Sequence, residues 1–407
     1  MSAGSAASGS PSGGPADQAA SPAAGEPTPG AEAVLAQRAA AVAPVFAVQV
    51  VDWQRSHGRH DLPWQVRDPY RVWLSEIMLQ QTQVTTVLGY YGRFLQRFPD
   101  VAVLAAAPLD EVLSAWAGLG YYSRARNLHR CAQVVVEQHA GRFPPTARQL
   151  AELPGIGPST AAAIAAFCFD ERAAILDGNV KRVLARVLGY GGDLADKRCE
   201  RALWQAAREL LPHGAADMPA YTQGLMDVGA TVCTPRRPAC VVCPLNTLCA
   251  AAREGQPLAY PVKSRRLVRG MRESWWLWLE HEGRIWLQQR PATGVWAGLW
   301  SLPLLDSEAA LQQAVSGCGL AGLAIEPQPL VQHALTHFDW TLHPRRIVLD
   351  AAAAQAWARS ACAPAVAEPC APAGAAASAL TAERGRWVAR ADLPAYGLPA
   401  PLKKLLG

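Results

Sequence analysis

Two acidic residues stand where a carboxyl group is able to do chemistry. Glu76 lies within an apolar helical pattern at residues 73–79, and Asp177 follows an apolar run and precedes Gly178 and Asn179. Apolar surroundings raise the pKa of a carboxyl group, so that it holds a proton near neutrality. The residues alone leave alternatives open: Asp177 is a catalytic carboxylate or an ordinary helix N-cap, and Glu76 is a buried acid or a solvated residue of a first helical turn.

Four of the ten cysteines fall close together, with six, two and five residues between them: Cys233, Cys240, Cys243 and Cys249. Four thiolates at this spacing predict a metal site, but spacing alone does not choose zinc over an iron–sulfur cluster. The other six cysteines are scattered, which is typical of a reducing compartment and not of a secreted disulfide framework.

A glycine-containing turn at residues 153–160 lies between two helical patterns. Gly155 and Gly157 let the backbone turn tightly and point bare N–H groups outward at a helix N-terminus, which suits a DNA phosphate. An ordinary interhelical turn has the same composition, so this motif by itself leaves both interpretations open.

The elements that position these residues divide the chain into a helical part and an α+β part. Residues 1–38, rich in Ala, Gly, Ser and Pro, predict a disordered tail. Apolar residues recur at three- and four-residue steps from residue 39 to about residue 211, which predicts short helices. The helical domain is assigned to residues 39–253 and includes the cysteine loop 233–249. Residues 254–273 then form a linker.

A β-like pattern of aromatic and aliphatic residues begins at residue 274, so residues 274–407 predict an α+β domain with strands at 275–279 and 284–290. A short helix is expected at 307–317. Residues 351–379 are mostly Ala and Pro, which predicts a poorly ordered insertion.

Composition narrows the class of protein. The chain has 407 residues, half of them hydrophobic, and a net charge of +5, which permits a polyanionic partner. It has neither a long uncharged apolar run nor a secretory signal pattern. We therefore expect a monomer with no membrane partner, located in the cytoplasm and, in a bacterium, associated with the nucleoid.

The 153–160 turn, the 175–182 segment and the cysteine loop together resemble the endonuclease III superfamily of DNA glycosylases, most closely its adenine-specific members. The resemblance covers roughly residues 45–345. It implies a mainly α fold: a two-lobed helix–hairpin–helix glycosylase domain whose four cysteines hold a 4Fe–4S cluster, followed by a C-terminal α+β Nudix-like domain. The Nudix likeness comes from residues 296–303, although the glutamate-rich helix of working Nudix hydrolases is missing.

The same resemblance implies a monofunctional glycosylase of base excision repair. Its partner is double-stranded DNA with adenine opposite 8-oxoguanine or guanine, and it hydrolyses the N-glycosidic bond of the flipped adenine. Glu76 protonates the base, Asp177 stabilises the oxocarbenium-like sugar, and Asn179 orients Asp177 or the water. Bifunctional relatives carry a lysine where this chain has Ser159, so strong lyase activity is not expected.

The remaining predicted contacts with the substrate also follow from the resemblance. The adenine pocket is assigned to Trp64 and Gln223, and the wedge into the base stack to Gln81, Leu119 and Tyr121. The phosphate-binding turn is assigned to Gly155, Gly157 and Ser159. The loop that reads 8-oxoguanine is assigned to Thr336, His337 and Phe338. Leu335 stands where the family pattern has phenylalanine.

Two other functions compete with this interpretation. One is a glycosylase and lyase of the endonuclease III type for oxidised pyrimidines, against which Ser159 and the extra C-terminal domain argue. The other is a non-catalytic iron–sulfur protein that binds DNA or senses redox state. Such a protein needs neither Glu76 nor Asp177.

Overall fold

The structure is a computed structural model that describes residues 31–264, 268–359 and 385–407. Two of the predicted boundaries are wrong. The first helix begins at Ala31, and not after a tail that ends at residue 38, because Leu35 and Ala39 are buried against other helices. Residues 351–359 of the predicted insertion also form a helix, which Trp357 anchors by complete burial. The rest of that insertion and of the tail lies outside the described residues.

The described residues contain a helical domain followed by a mixed sheet with helices, as the sequence predicts. The α-helices are α1 Ala31–His57, α2 Pro69–Leu79, α3 Val84–Arg97, α4 Val101–Ala106, α5 Leu109–Trp116, α6 Tyr122–His139, α7 Ala147–Leu150, α8 Pro158–Phe169, α9 Gly178–Val187, α10 Lys197–Glu209, α11 Met218–Asp227, α12 Ala250–Arg253, α13 Glu308–Gly317, α14 Ala351–Arg359 and α15 Ala400–Leu406.

The helical domain has two hydrophobic cores and hence two lobes. One core gathers α2 to α6 around Trp73 and Trp116, and the other gathers α1, α9, α10 and α11 around Phe46 and Tyr221. Helix α8 runs between the lobes and contributes buried alanines to both cores. The groove between two such lobes is where a ligand cavity is expected.

Helix α1 is the only helix of the described residues that is long and apolar enough to cross a membrane. Length and composition alone are weak evidence for a membrane span, because the core helix of a soluble protein also has them. Phe46 and Val50 of α1 are fully buried in the second core, and the helix packs against α10 and α11.

The C-terminal domain contains an eight-stranded mixed sheet within the described residues. Its central strands run in the order β3-β2-β1-β7-β5, and β1 and β7 are parallel, with Gly270 opposite Phe338. The first strand begins four residues before the predicted domain boundary. The strands are β1 Gly270–His281, β2 Arg284–Gln289, β3 Trp300–Ser301, β4 Leu304–Leu305, β5 Glu326–Pro327, β6 Val331–Ala334, β7 Phe338–Val348 and β8 Gly385–Ala389.

The two domains pack tightly against each other. Trp300 of the sheet belongs to the same buried cluster as Leu113 of α5, and its indole N–H donates a hydrogen bond to the Asp110 carboxylate at 3.2 Å. The hydroxyl of Ser114 donates to the carbonyl of Pro394 at 2.7 Å. These contacts join the sheet domain to α5 of the helical domain.

Candidate active site and iron–sulfur centre

A cavity of about 450 Å³ lies between the two lobes of the helical domain. This volume falls within the range typical of small-molecule sites. Its wall includes three residues that the sequence assigns to the adenine pocket or to catalysis: Trp64, Glu76 and Gln223. Trp64 is held edge-on against Tyr91, with the ring centroids 5.3 Å apart.

Glu76 projects into this cavity from the second half of α2. Asp68 is the N-cap of this helix, and its side chain accepts hydrogen bonds from the N–H groups of Tyr70 and Arg71. Glu76 is therefore not a first-turn residue, although the sequence allowed that alternative. Burial, together with a smaller effect of the nearby charge of Asp177, raises the pKa of Glu76 to about 8. The side chain is thus a neutral acid at pH 7 and is able to donate a proton.

Asp177 is both the N-cap of α9 and a carboxylate that acts on Glu76. Its Oδ1 accepts a hydrogen bond from the Val180 N–H at 2.8 Å. Burial raises the pKa of Asp177, while the backbone hydrogen bonds and the charge of Arg182 oppose that rise. The two interpretations that the sequence left open for Asp177 are therefore compatible.

The glycine turn leads directly to this segment. Gly155 has φ +76, and a Cβ atom there would lie 2.7 Å from Cβ of Asn127, so glycine is required. Gly157 is the N-cap of α8 and has open space around it. Ser159, in the first turn of α8, accepts a hydrogen bond from the Leu176 N–H at 3.0 Å, which ties the turn to the Asp177 segment.

Helix α9 connects the carboxylate to the cysteine loop. Arg182 donates to the Asn179 Oδ1 at 2.9 Å and to the carbonyls of Gly229 at 2.6 Å and Cys233 at 2.7 Å. One turn later, Arg186 donates to the carbonyl of Thr234 at 2.8 Å. The two arginines lie on one face of the helix, four residues apart.

All four cysteines of the loop line one further cavity, together with apolar residues of α9 and of the turn after α11. The Arg186 guanidinium approaches the Cys233 sulfur at 3.3 Å. Among residues 31–264, 268–359 and 385–407, no three His, Cys, Asp or Glu side chains are grouped as a single-ion site. Four free thiols around one cavity, with a cation beside a sulfur, fit an anionic iron–sulfur cluster.

Three family models match separate parts of the chain. They are the HhH-GPD superfamily base excision DNA repair protein at residues 74–209, the iron–sulfur binding domain of endonuclease III at 233–249, and the NUDIX domain at 274–407. The solved structure of a thermostable thymine-DNA glycosylase is 29% identical and aligns with a TM-score of 0.47, covering 54% of this chain and 98% of that one.

The chain matches curated relatives over most of their length. The adenine DNA glycosylase of Buchnera aphidicola subsp. Acyrthosiphon pisum is 39% identical over 261 residues, which cover 64% of this chain and 74% of that protein. The adenine DNA glycosylase of Mus musculus is 36% identical over 372 residues, which cover 76% of this chain and 72% of the relative. The chain belongs to the adenine DNA glycosylase family.

Family membership confirms several predictions from the sequence. The chain is a DNA glycosylase of base excision repair with a helix–hairpin–helix domain, an iron–sulfur cluster and a C-terminal Nudix-like domain. Membership of this family decides the metal in favour of an iron–sulfur cluster and against zinc. When bound, the cluster supplies a rigid four-point cross-link between the cysteines. Within this adenine DNA glycosylase, α9 then joins the cluster loop to Asp177.

Two loops of this glycosylase meet on Arg124, a buried residue that the sequence analysis missed. Its guanidinium donates to the carbonyls of Ile77, Met78 and Gln80 at the end of α2, and to those of Leu119 and Gly120 before α6. The local sequence Arg124-Ala125-Arg126 gave no signal for this role. Arg124 fixes the two loops relative to Glu76.

These two loops present Gln81 and Tyr121 to solvent. Both side chains are exposed, and both backbones are left-handed, with φ +57 at Gln81 and φ +47 at Tyr121. Leu119, which the sequence also assigns to the base stack, is placed differently, and its entry into the stack stays a prediction. Leu119 is only 5% exposed, because the positive φ angles of Gly118 and Gly120 turn it into the core.

The predicted lesion-reading residues at the loop between β6 and β7 differ in their exposure to solvent. Thr336 and His337 are exposed, and the Thr336 hydroxyl lies 2.8 Å from that of Tyr121. Phe338 is 8% exposed and packs between Trp340 and the Arg272 guanidinium. Phe338 starts β7 and faces the core, and its predicted contact with the substrate stays a prediction.

A second group of residues that the sequence analysis missed lies behind the adenine pocket. Arg59 lines the cavity, and buried Asp227 binds both Arg59 and Gln223. The signal was available in part: Gln223 and Asp227 are four residues apart on a helix, which brings their side chains together.

Proposed function

We propose that this glycosylase hydrolyses the N-glycosidic bond of adenine opposite 8-oxoguanine or guanine in double-stranded DNA. The observation that carries the proposal is the pairing of a protonated Glu76, inside a cavity of base-binding size, with Asp177 close enough to influence its pKa. A flipped adenine enters the cavity between Trp64 and Gln223, and its sugar remains at the entrance near Asp177.

The two carboxyl groups have different tasks. The Glu76 carboxyl group donates its proton to N7 of adenine, so that the electron pair of the breaking C1′–N9 bond leaves with a neutral base. The sugar becomes oxocarbenium-like, and the Asp177 carboxylate stabilises the positive charge. Water then adds to C1′, and its proton returns to the ionised Glu76.

Asn179 holds this arrangement in place. Its Oδ1 accepts from Arg182, so the NH₂ end of the amide is turned away from the arginine and is able to donate to Asp177 or to the water. Asn179 is thus a positioning residue. Arg182, which holds it, also donates a hydrogen bond to the Cys233 carbonyl of the cysteine loop.

The DNA is held by backbone and side-chain groups around the cavity entrance. Gly155 and Gly157 offer N–H groups at the start of α8 to a phosphate. Gln81 and Tyr121 fill the gap that the flipped base leaves, which compensates for lost stacking. Thr336 and His337 face the base opposite adenine and distinguish 8-oxoguanine from guanine.

Ser159 makes the reaction monofunctional. A Schiff base with the sugar requires an amine at this position. Ser159 instead offers a hydroxyl that already accepts a hydrogen bond from the Leu176 backbone. Strand cleavage therefore needs a separate agent after the base has left.

One gel tests the proposal. A labelled duplex with adenine opposite 8-oxoguanine is incubated with the protein and then treated with alkali, which cleaves at abasic sites. Wild type gives a nick, whereas Asp177→Asn does not, although asparagine is still able to cap the Val180 N–H. Unchanged nicking by Asp177→Asn, or none by wild type, contradicts the proposal.

A further inference from the structure

A buried carboxylate behind the cavity controls the orientation of the Gln223 amide. Asp227 ends α11, and its side chain is 1% exposed. Its Oδ1 accepts hydrogen bonds from Gln223 Nε2 at 2.8 Å and from Arg59 Nε at 2.8 Å and Nη2 at 2.6 Å. Its Oδ2 accepts the backbone N–H of Arg59 at 2.9 Å.

This set of donors fixes which end of the amide faces the cavity. A carboxylate only accepts, so it pairs with the NH₂ end of Gln223 and would repel the carbonyl end. Within the described part of the chain, no group donates to Gln223 Oε1, and Gln223 lines the cavity. The polar group that the amide offers to a bound base is therefore an acceptor.

The segment around Arg59 keeps this pairing rigid. Gln65 donates to the Arg59 carbonyl at 2.6 Å and accepts from the Leu62 N–H at 3.2 Å. Arg59 therefore cannot easily swing away from Asp227 and release the amide. A fixed acceptor favours a purine that carries an amino group and disfavours one that carries a carbonyl oxygen in the same place.

We propose that Asp227 is a positioning residue that makes this site selective for 6-aminopurines over 6-ketopurines, and that it acts through Gln223 without touching the base. The inference rests on the proposed function, because it assumes that a flipped adenine occupies this cavity. Hypoxanthine is the informative competitor, since it keeps the N7 atom that Glu76 protonates and differs from adenine in carrying a carbonyl oxygen at C6.

The test measures single-turnover excision from three duplexes that carry adenine, unsubstituted purine or hypoxanthine opposite 8-oxoguanine. For wild type we expect the order adenine, purine, hypoxanthine. Asp227→Ala frees the amide to rotate, so the hypoxanthine-to-adenine rate ratio should rise by about tenfold or more. Asp227→Asn keeps an acceptor for Gln223 and should restore most of the wild-type ratio.

Two further variants make the result decisive. Asp217→Ala removes an exposed ion pair with Arg55 beside the first turn of α11 and should leave the ratio unchanged. Asp227→Ser, whose hydroxyl is too short to reach Gln223, replaces Asp227→Ala if the alanine variant does not fold.

The inference is overturned if Asp227→Ala slows excision of all three bases by one common factor, since that is the result of a purely structural role. It is also overturned if Asp227→Asn relaxes the ratio as much as alanine does. Failure of the proposed function gives a different pattern, because wild type then excises no adenine at all.

Discussion

The hydroxyl groups of Tyr121 and Thr336 lie 2.8 Å apart and join the helical domain to the Nudix-like domain. Tyr121 is 45% exposed and sits on a left-handed backbone, so its side chain has little else to fix it in place apart from the Arg124 guanidinium. The residue proposed to enter the base stack and the residue proposed to read the opposite base are therefore physically linked.

Thr336→Val should weaken the preference for 8-oxoguanine over guanine. The variant keeps the shape of threonine but removes the hydroxyl that meets Tyr121, and one such hydrogen bond is worth about 0.5–1.5 kcal/mol, or roughly two- to tenfold. The preference is measured as the ratio of adenine excision rates opposite the two bases. Thr341→Val removes a hydroxyl of β7 that donates to the Gln332 side chain of β6; it is the control and should leave the ratio as it is.

Glu76→Gln should stabilise the fold at alkaline pH. The pKa of Glu76 rises from 4.5 to about 8 on folding, because burial disfavours the charged form. The folded state therefore binds the proton more tightly, and the stability this contributes is complete below pH 4.5 and is lost as pH rises towards 8. Glutamine has no proton to lose.

The difference in Tm between Glu76→Gln and wild type should therefore grow from about pH 5 to about pH 8 and then level off. Thermal unfolding at several pH values measures it. Glu200→Gln, in an ion pair with Lys181 outside the cavity, is a carboxyl-to-amide control that should not show this rise. A constant difference across the range would mean that Glu76 is not protonated in the folded protein.

Much of the fold follows from periodicity and turn chemistry. The helical spacing of Trp73 and Ile77 predicts α2, because it presents one apolar face to a core, and the aromatic and aliphatic run after Ser274 predicts β1, which is buried on both faces. The N-cap role of Asp177 also follows from its place before a helix.

The features that the sequence did not reveal have a common physical cause. Leu119 and Phe338 lie in segments that contact solvent on one side, and only tertiary packing decides which side chain turns inward. The Ala-rich segments at 31–38 and 351–359 look disordered by composition, yet Leu35 and Trp357 anchor them as helices. Arg124 and the Arg59–Asp227 pair act through contacts between distant segments, which no local pattern reveals.

Cys243→Ser should give colourless and unstable protein. Serine removes one of the four thiolates that line the cluster cavity, and the loop then loses the cross-link that holds it against α9. Visible absorbance and thermal unfolding measure the two effects. Cys131→Ala removes a buried thiol outside the loop and should keep the brown colour. Full absorbance in Cys243→Ser would exclude Cys243 as a ligand.

Borohydride should trap almost no covalent adduct between wild-type protein and adenine-containing DNA. The first turn of α8 carries the Ser159 hydroxyl in place of an amine, so no Schiff base forms there for borohydride to reduce. A bifunctional glycosylase run on its own substrate provides the positive control. A high yield of adduct from wild type would show that another amine reaches the sugar and that the enzyme is bifunctional.

The pH dependence of adenine excision tests the central claim most directly. The rate on a duplex with adenine opposite 8-oxoguanine is measured below saturation, where it reports the free enzyme. If Glu76 is the proton donor, the wild-type rate falls as pH rises through about 8, where this group ionises. Glu76→Gln should be slower by roughly 100-fold or more and lack that fall. A wild-type rate that stays level through this range, or a Glu76→Gln variant with normal activity, would contradict the account.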